Sequence, residues 1–138
     1  MPDRTELGHE QAQQIVETVR GELAARGEGG AVAVVDGHGE LIAFLRTDGC
    51  DLPPIDIAIN KAFTAARVGA ESRTVGDRSR DEGFPISNFG DPRYVGFGGG
   101  VPVIVDGEVI GAVGVSGLAE EDDMELARGA VATIAGSG

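Results

Sequence analysis

Apolar positions recur along this chain in two periods, and the changes of period mark its elements. From Thr5 to Arg26, Ala12, Ile15, Val16, Val19 and Leu23 repeat at helical spacing, with Thr5 placed to cap the start and Gly27 to stop the helix. Glu28-Gly29-Gly30 is a connector. Ala31–Asp36 is short, apolar and valine-rich, a central strand, and Asp36-Gly37-His38-Gly39 is turn chemistry that returns the chain as a second strand over Glu40–Arg46. Thr47–Pro53 is a small loop ahead of a central helix over Pro54–Ala70, and a short charged helix is predicted over Glu71–Arg80. Asp81–Asp91 is irregular and dense in Pro and Gly, a length of loop that is uncommon unless it covers something. Tyr94–Gly100 reads as a third strand. Val101–Asp106 and Glu108–Ser116 form the clearest hairpin, because Asp106-Gly107 is the pair that a type I′ turn requires. Pro102 cannot donate to a ladder, which puts that strand at an edge or a bulge. Glu120–Asp123 opens a last helix whose buried face is Met124, Ala127, Val131 and Ile134.

The order is helix, two strands, helix, covering loop, three strands, helix. No strand–helix–strand unit demands a parallel sheet, so the expected class is α/β of the α+β kind. The expected architecture is a five-stranded antiparallel sheet flanked by helices, profilin- or PAS-like. There is no internal repeat and no dividing linker, and a chain of 138 residues is read as a single domain over 1–138.

The central helix divides into three strips. Ile55, Ile59, Phe63, Ala66 and Ala70 share a core arc, Asp56, Asn60, Thr64 and Arg67 fill the opposite arc, and Ala58, Ala62, Ala65 and Gly69 make a quadrant without bulk. Lys61, the only lysine in the chain, stands between the polar arc and that quadrant. Two readings stand: the small residues only seat the helix on a sheet, or they also form one wall of a ligand pocket with Lys61 at its edge.

Charge narrows the partners. A net charge of −12 and a pI near 4.4 leave no basic patch for nucleic acid and none for an anionic membrane surface. No run of about 18 apolar residues occurs, and the first residues lack the pattern of a secretion signal. Cys50 is the single cysteine, so no internal disulfide forms, and a cytoplasmic location is expected.

Among chemical signatures there is no paired-cysteine zinc spacing, no Gly-x-Ser-x-Gly elbow and no P-loop, and Gly96–Gly100 is followed by no helix that would make it a phosphate cradle. No metal site is expected. His9 and His38 fall in a first helical turn and a hairpin tip, positions of solvated residues. Asp81, Glu82 and the Glu120–Asp123 run read as solvated or capping carboxylates. Lys61 is different: buried beside small residues, it would have a lowered pKa and could pair with a ligand carboxylate, move a proton or attack a carbonyl, or else hold a plain ion pair.

Several segments resemble the GlcG/HbpS family. They are Ala33–Gly39, Ile55–Ala66 with its Lys-Ala-x-Thr-Ala core, Gly99–Val103, and the closing Gly-x-x-Gly-Val-Ser-Gly of Gly111–Gly117. Its members include glycolate-operon proteins, a secreted haem-binding sensor accessory protein and the C-terminal domain of PduO-type proteins. The resemblance implies an antiparallel α/β fold, assembly from dimers to octamers, and binding of haem or another tetrapyrrole in some members. It places Lys61, Asp56 and Thr64 in the family's pocket. The Gly83–Tyr94 loop departs from the haem binders, and only Tyr94, Met124, the two histidines and Cys50 are side chains able to ligate iron axially.

The expected site lies between the Asp56–Arg67 helix and the Gly98–Gly100 strand end, closed by the Phe84–Tyr94 loop. Lys61 and Asp56 are its candidates for proton transfer; Asn60, Thr64, Arg93, Tyr94, Gly98, Gly99 and Gly100 are its candidates for binding. Lys61 and Arg93 would favour an anionic small molecule, and Lys61 should meet a carboxylate, either Asp56 or the ligand's own. Two functions follow: a binding module for a flat or carboxylate-bearing molecule, haem being one case, or a small cofactor-independent lyase, isomerase or hydrolase.

Overall fold

The structure, a computed structural model, describes residues 6–135. Helix α1 (His9–Arg26) is followed by strands β1 (Ala31–Asp36) and β2 (Leu41–Arg46), then by helices α2 (Pro53–Val68) and α3 (Ser72–Glu82). A 3₁₀ turn at Ile86–Phe89 precedes β3 (Gly100–Val105), β4 (Glu108–Ser116) and α4 (Glu120–Ala135). Helix α1 starts three residues later than its sequence pattern implies. The Gly8 amide bonds Gln11 Oε1 at 3.1 Å at the helix start, and Thr5, expected as the cap, lies outside the described residues.

The strands pair antiparallel throughout in the order β2-β1-β4-β3. Asp106 and Gly107 both take positive φ, 53° and 79°, and join β3 to β4 as the hairpin pattern requires. Pro102 sits on β3, an edge strand, where its missing N–H costs no ladder bond.

Among the described residues the sheet has four strands, not the expected five. Tyr94–Gly99 is irregular because side chains take the backbone groups a ladder would have used. Thr64 Oγ1 accepts from the Val95 amide at 2.9 Å and Glu120 Oε2 from the Gly98 amide at 2.6 Å, while just beyond, at the start of β3, Ser72 Oγ accepts from the Gly100 amide at 2.9 Å. Ser72 also donates to the Phe97 carbonyl at 2.5 Å. With its polar groups satisfied by α2, α3 and α4, this stretch has no drive to add an edge strand.

Alternation along the strands sorts bulk to one face. Val32, Val34, Val101, Val103, Val113 and Val115 point toward α1 and α4, where Ile15, Val19, Leu23, Leu126 and Ala127 complete the larger core. The other face carries Ala31, Ala33, Val35 and Ala112 against Ala58, Ala62, Ala65 and Ala66 of α2. Small residues on both sides bring that helix almost onto the backbone. A Cβ on Gly114 would lie 2.1 Å from the Ala58 carbonyl oxygen, and one on Gly100 2.2 Å from that of Lys61. The small-residue quadrant of α2 therefore seats the helix on the sheet. No helix among the described residues is long and apolar enough to cross a membrane.

Candidate functional site

Close seating of α2 brings one of its edges to the C-terminal end of β4. Pro54, Ile57 and Lys61, at i, i+3 and i+7, share that edge. They face Ser116–Leu118 and the first turn of α4 across a cleft of about 700 Å³. Leu52, Pro53 and Phe97 form its lips, and Asp51, Glu120 and Asp123 are its carboxylates. Leu52 and Phe97 are 72% and 60% exposed, unusual for large apolar side chains and consistent with a ligand-sized opening.

Lys61 is buried in this cleft at 3% exposure. Its Nζ donates to the Val115 carbonyl at 2.9 Å and to Asp123 Oδ2 at 3.2 Å. Asp123 is buried as well, and its other oxygen accepts from the Leu118 amide at 3.1 Å. Desolvation by burial pushes the Lys61 ammonium below its ordinary pKa, with the opposing pull of Asp123 only partly offsetting it. The same burial pushes the Asp123 carboxyl up against the pull of Lys61. Burial thus opposes the charge on both partners, and their mutual attraction offsets that cost only in part.

The carboxylate that meets Lys61 is Asp123, not Asp56. Asp56 lies five residues earlier, about 140° round the helix, and is exposed. The acidic run at Glu120 does open a helix, but one of its members, Asp123, turns inward to Lys61, while Glu120 stays exposed and accepts from the Gly98 amide.

The other expected residues divide between two places. Gly98, Gly99 and Gly100 pack behind the cleft, where a Cβ on Gly99 would fall 2.9 Å from Lys61 Nζ and 2.5 Å from the Val115 oxygen. Their lack of side chains is what lets Lys61 reach across to Asp123. Thr64, Arg93 and Tyr94 do not line the cleft. Thr64 Oγ1 donates to the Asn60 carbonyl at 2.9 Å, and Asn60 is half-buried on the same turn. Arg93 stacks 4.0 Å over the Phe63 ring and chelates Asp91, whose carboxyl it pulls down to about 2. Tyr94 lies between Phe89, stacked at 4.4 Å, and Phe63, edge-on at 5.1 Å. The Phe84–Tyr94 loop therefore closes over Phe63, which points some 200° away from Lys61, and not over the cleft.

Sequence reasoning missed Asp123, Glu120, Ile57, Phe97 and Ser116. One signal was present: Asp123 stands at i−4 and i−8 from Ala127 and Val131, in line with the apolar stripe of α4. An acid at a stripe position needs a buried partner, and the lone lysine is the cation that supplies it.

Potential iron ligands lie elsewhere. His9 is exposed on α1, His38 is in the β1–β2 turn, and Met124 Sδ faces an Arg73 nitrogen at 3.8 Å. The Cys50 thiol donates to the Asp51 carbonyl, and burial pushes its pKa up. Among the described residues no cluster of three or more His, Cys, Asp or Glu side chains is placed to hold a metal ion.

A family model described as haem degrading protein HbpS-like matches residues 7–132. An uncharacterized 15.0 kDa protein from the dhaT-dhaS intergenic region of Citrobacter freundii is 40% identical over 101 residues, covering 72% of this chain and 71% of its own. Protein GlcG of Escherichia coli K12 is 33% identical over 116 residues, 84% of this chain and 85% of its own. The solved PduOC–haem complex superposes with a TM-score of 0.87 at 26% identity, covering 94% of this chain and 96% of that one.

Proposed function

This chain belongs to the HbpS-like family, and from that premise we propose that it is a small-molecule-binding domain whose ligand occupies the Lys61 cleft. The observation that carries this reading is the cleft itself: about 700 Å³, apolar at its lips and walls, with a buried ion pair at its floor. A structural relative's haem complex makes haem the first ligand to test. The cleft offers that molecule an apolar slot but no axial ligand, because none of its lining residues is His, Cys, Met or Tyr and its one lysine is engaged by Asp123. Iron ligation does not fit these residues.

Charge also revises the ligand class. Arg93 lies outside the cleft, and the Lys61 charge is matched internally, while Asp51 and Glu120, the latter 3.7 Å from an Arg73 nitrogen, add two carboxylates at the rim. These features favour a neutral ligand over the anionic one expected from Lys61 and Arg93. Titration with the neutral dye Nile red, haem and metal-free protoporphyrin tests the reading. Saturable binding should weaken about tenfold or more in Ile57→Trp, which fills the slot, and the two porphyrins should bind alike. Equal binding by a folded Ile57→Trp chain would overturn it.

A second reading, a small cofactor-independent enzyme, is favoured by the Lys61–Asp123 pair at the floor of the cleft, a unit suited to moving one proton. Loss of turnover in a folded Lys61→Met chain would support it. The family membership and the exposed Phe84, Phe89 and Leu41 further support self-association, from dimer to octamer.

A further inference from the structure

We propose that Lys61 captures neutral aldehydes or ketones in the cleft as a protonated imine, with Asp123 taking up and returning the proton that the reaction moves. The inference rests on the cleft being the ligand site and names the class of ligand it takes.

Imine formation needs an amine that can shed its proton, an acid within reach to receive that proton and then expel water, and surroundings dry enough to keep the amine uncharged. All three meet at Lys61. Its Nζ lies 3.2 Å from Asp123 Oδ2, so the proton has a direct acceptor. The Val115 carbonyl at 2.9 Å takes a second N–H, which fixes the nitrogen at the cleft floor while leaving one further position on it. Both side chains are 4% exposed, and the lining above them is Pro54, Ile57, Phe97 and Leu118. The glycine backbone at Gly99 keeps the nitrogen's surroundings free of competing side chains.

The step balances within the pair. Lys61 gives a proton to Asp123, leaving an amine and a carboxylic acid. The amine nitrogen bonds to the carbonyl carbon, and one N–H proton passes to the former carbonyl oxygen to give a carbinolamine. Asp123 then returns its proton to that hydroxyl, the C–O bond breaks, and water leaves. The product is a protonated imine facing a carboxylate, so the buried site ends with the same ion pair it began with. A buried acid–base pair that restores its own charge pays no new desolvation for the product, which distinguishes it from an exposed lysine. Asp51 and Glu120 at the rim disfavour 2-oxo acids, so neutral carbonyl compounds are the class selected.

The sequence makes the test clean, because Lys61 is the only lysine and the chain's other amine is its N-terminus. The full chain is incubated with butanal and cyanoborohydride, which delivers hydride to the imine carbon, and the adducts are located by peptide mapping. The expected result is one butyl group on the Lys61 peptide, formed at least about tenfold faster than on N-acetyl-lysine amide at the same pH. Pyruvate should react more slowly than butanal. Lys61→Arg should keep the charge and the folded state, lose that adduct and retain the N-terminal one. Asp123→Asn should slow capture about tenfold or more. A folded parent chain labelled only at its N-terminus, or at Lys61 no faster than the model amide, overturns the proposal, and this comparison decides even where Asp123→Asn does not fold. Retained Nile red binding without an adduct would sink the capture alone; loss of both would sink the cleft reading with it.

Discussion

Lys61 Nζ and Asp123 Oδ2 lie 3.2 Å apart although 62 residues separate them in the chain, and each side chain is only 4% exposed. The pair ties α2, on one face of the sheet, to α4, on the other, at the open end of β4. Removing one partner strands a buried charge. Lys61→Met should therefore cost about 3–5 kcal/mol in urea denaturation, while Lys61→Met combined with Asp123→Leu should recover most of that loss. A double variant no more stable than the single one would show that the pair is not what the site depends on.

The pair also sets a pH dependence of definite sign. Asp123 has its folded pKa raised, so its contribution to stability is present below the ordinary carboxylate value of 3.8 and is lost as pH rises through the raised value. Lys61 has its folded pKa lowered, so its contribution is present above the ordinary 10.5 and is lost as pH falls through the lowered value. The stability of the parent relative to the apolar double variant should accordingly be least near neutrality and rise toward both extremes. Denaturant midpoints across the pH range measure it; a maximum near pH 7 would reverse the assignment.

Glycine positions give a contrast within one chain. Gly114→Ala would drive a Cβ to 2.1 Å from the Ala58 carbonyl oxygen and should cost about 3 kcal/mol or more, since the atom it meets is packed helix backbone that cannot swing aside. Gly21 on α1 and Gly129 on α4 meet nothing within 4 Å, and Ala at either should stabilise by about 0.5–1 kcal/mol. Thermal melts of the three variants separate the two cases.

The rim carboxylates should act against anions. Glu120→Gln and Asp51→Asn are each expected to improve binding of a carboxylate-bearing ligand about two- to threefold at low salt, an effect that added salt erases. Glu120→Gln should also speed amide exchange at Gly98, which now donates to Glu120 Oε2 at 2.6 Å. Titrations at two salt concentrations and hydrogen exchange read these two effects separately.

Self-association predicts a solution mass that is a multiple of 14.1 kDa at micromolar concentration. Light scattering that returned the monomer mass would count decisively against it.

What the sequence determined by itself was local. Asp106-Gly107 allows one hairpin type, Pro102 admits only an edge or a bulge, and the Ala58–Ala62–Ala65 quadrant suits a close neighbour, so each of these was legible from a few adjacent residues. Lys61 stood out as the lone lysine beside that quadrant, which marked one half of the site. Its partner was not legible, because an acidic run at a helix start satisfies the helix dipole whether or not one member turns inward. Tertiary structure alone decided that Asp123 does, by laying α4 across the end of β4. It likewise decided the fate of Tyr94–Gly99, whose apolar, aromatic and glycine pattern suits a strand. Side chains of Thr64, Ser72 and Glu120, drawn from three different helices, bond its backbone first. A backbone whose hydrogen bonds are already made gains nothing from joining a sheet, and no reading of its own residues reveals which distant groups will reach it.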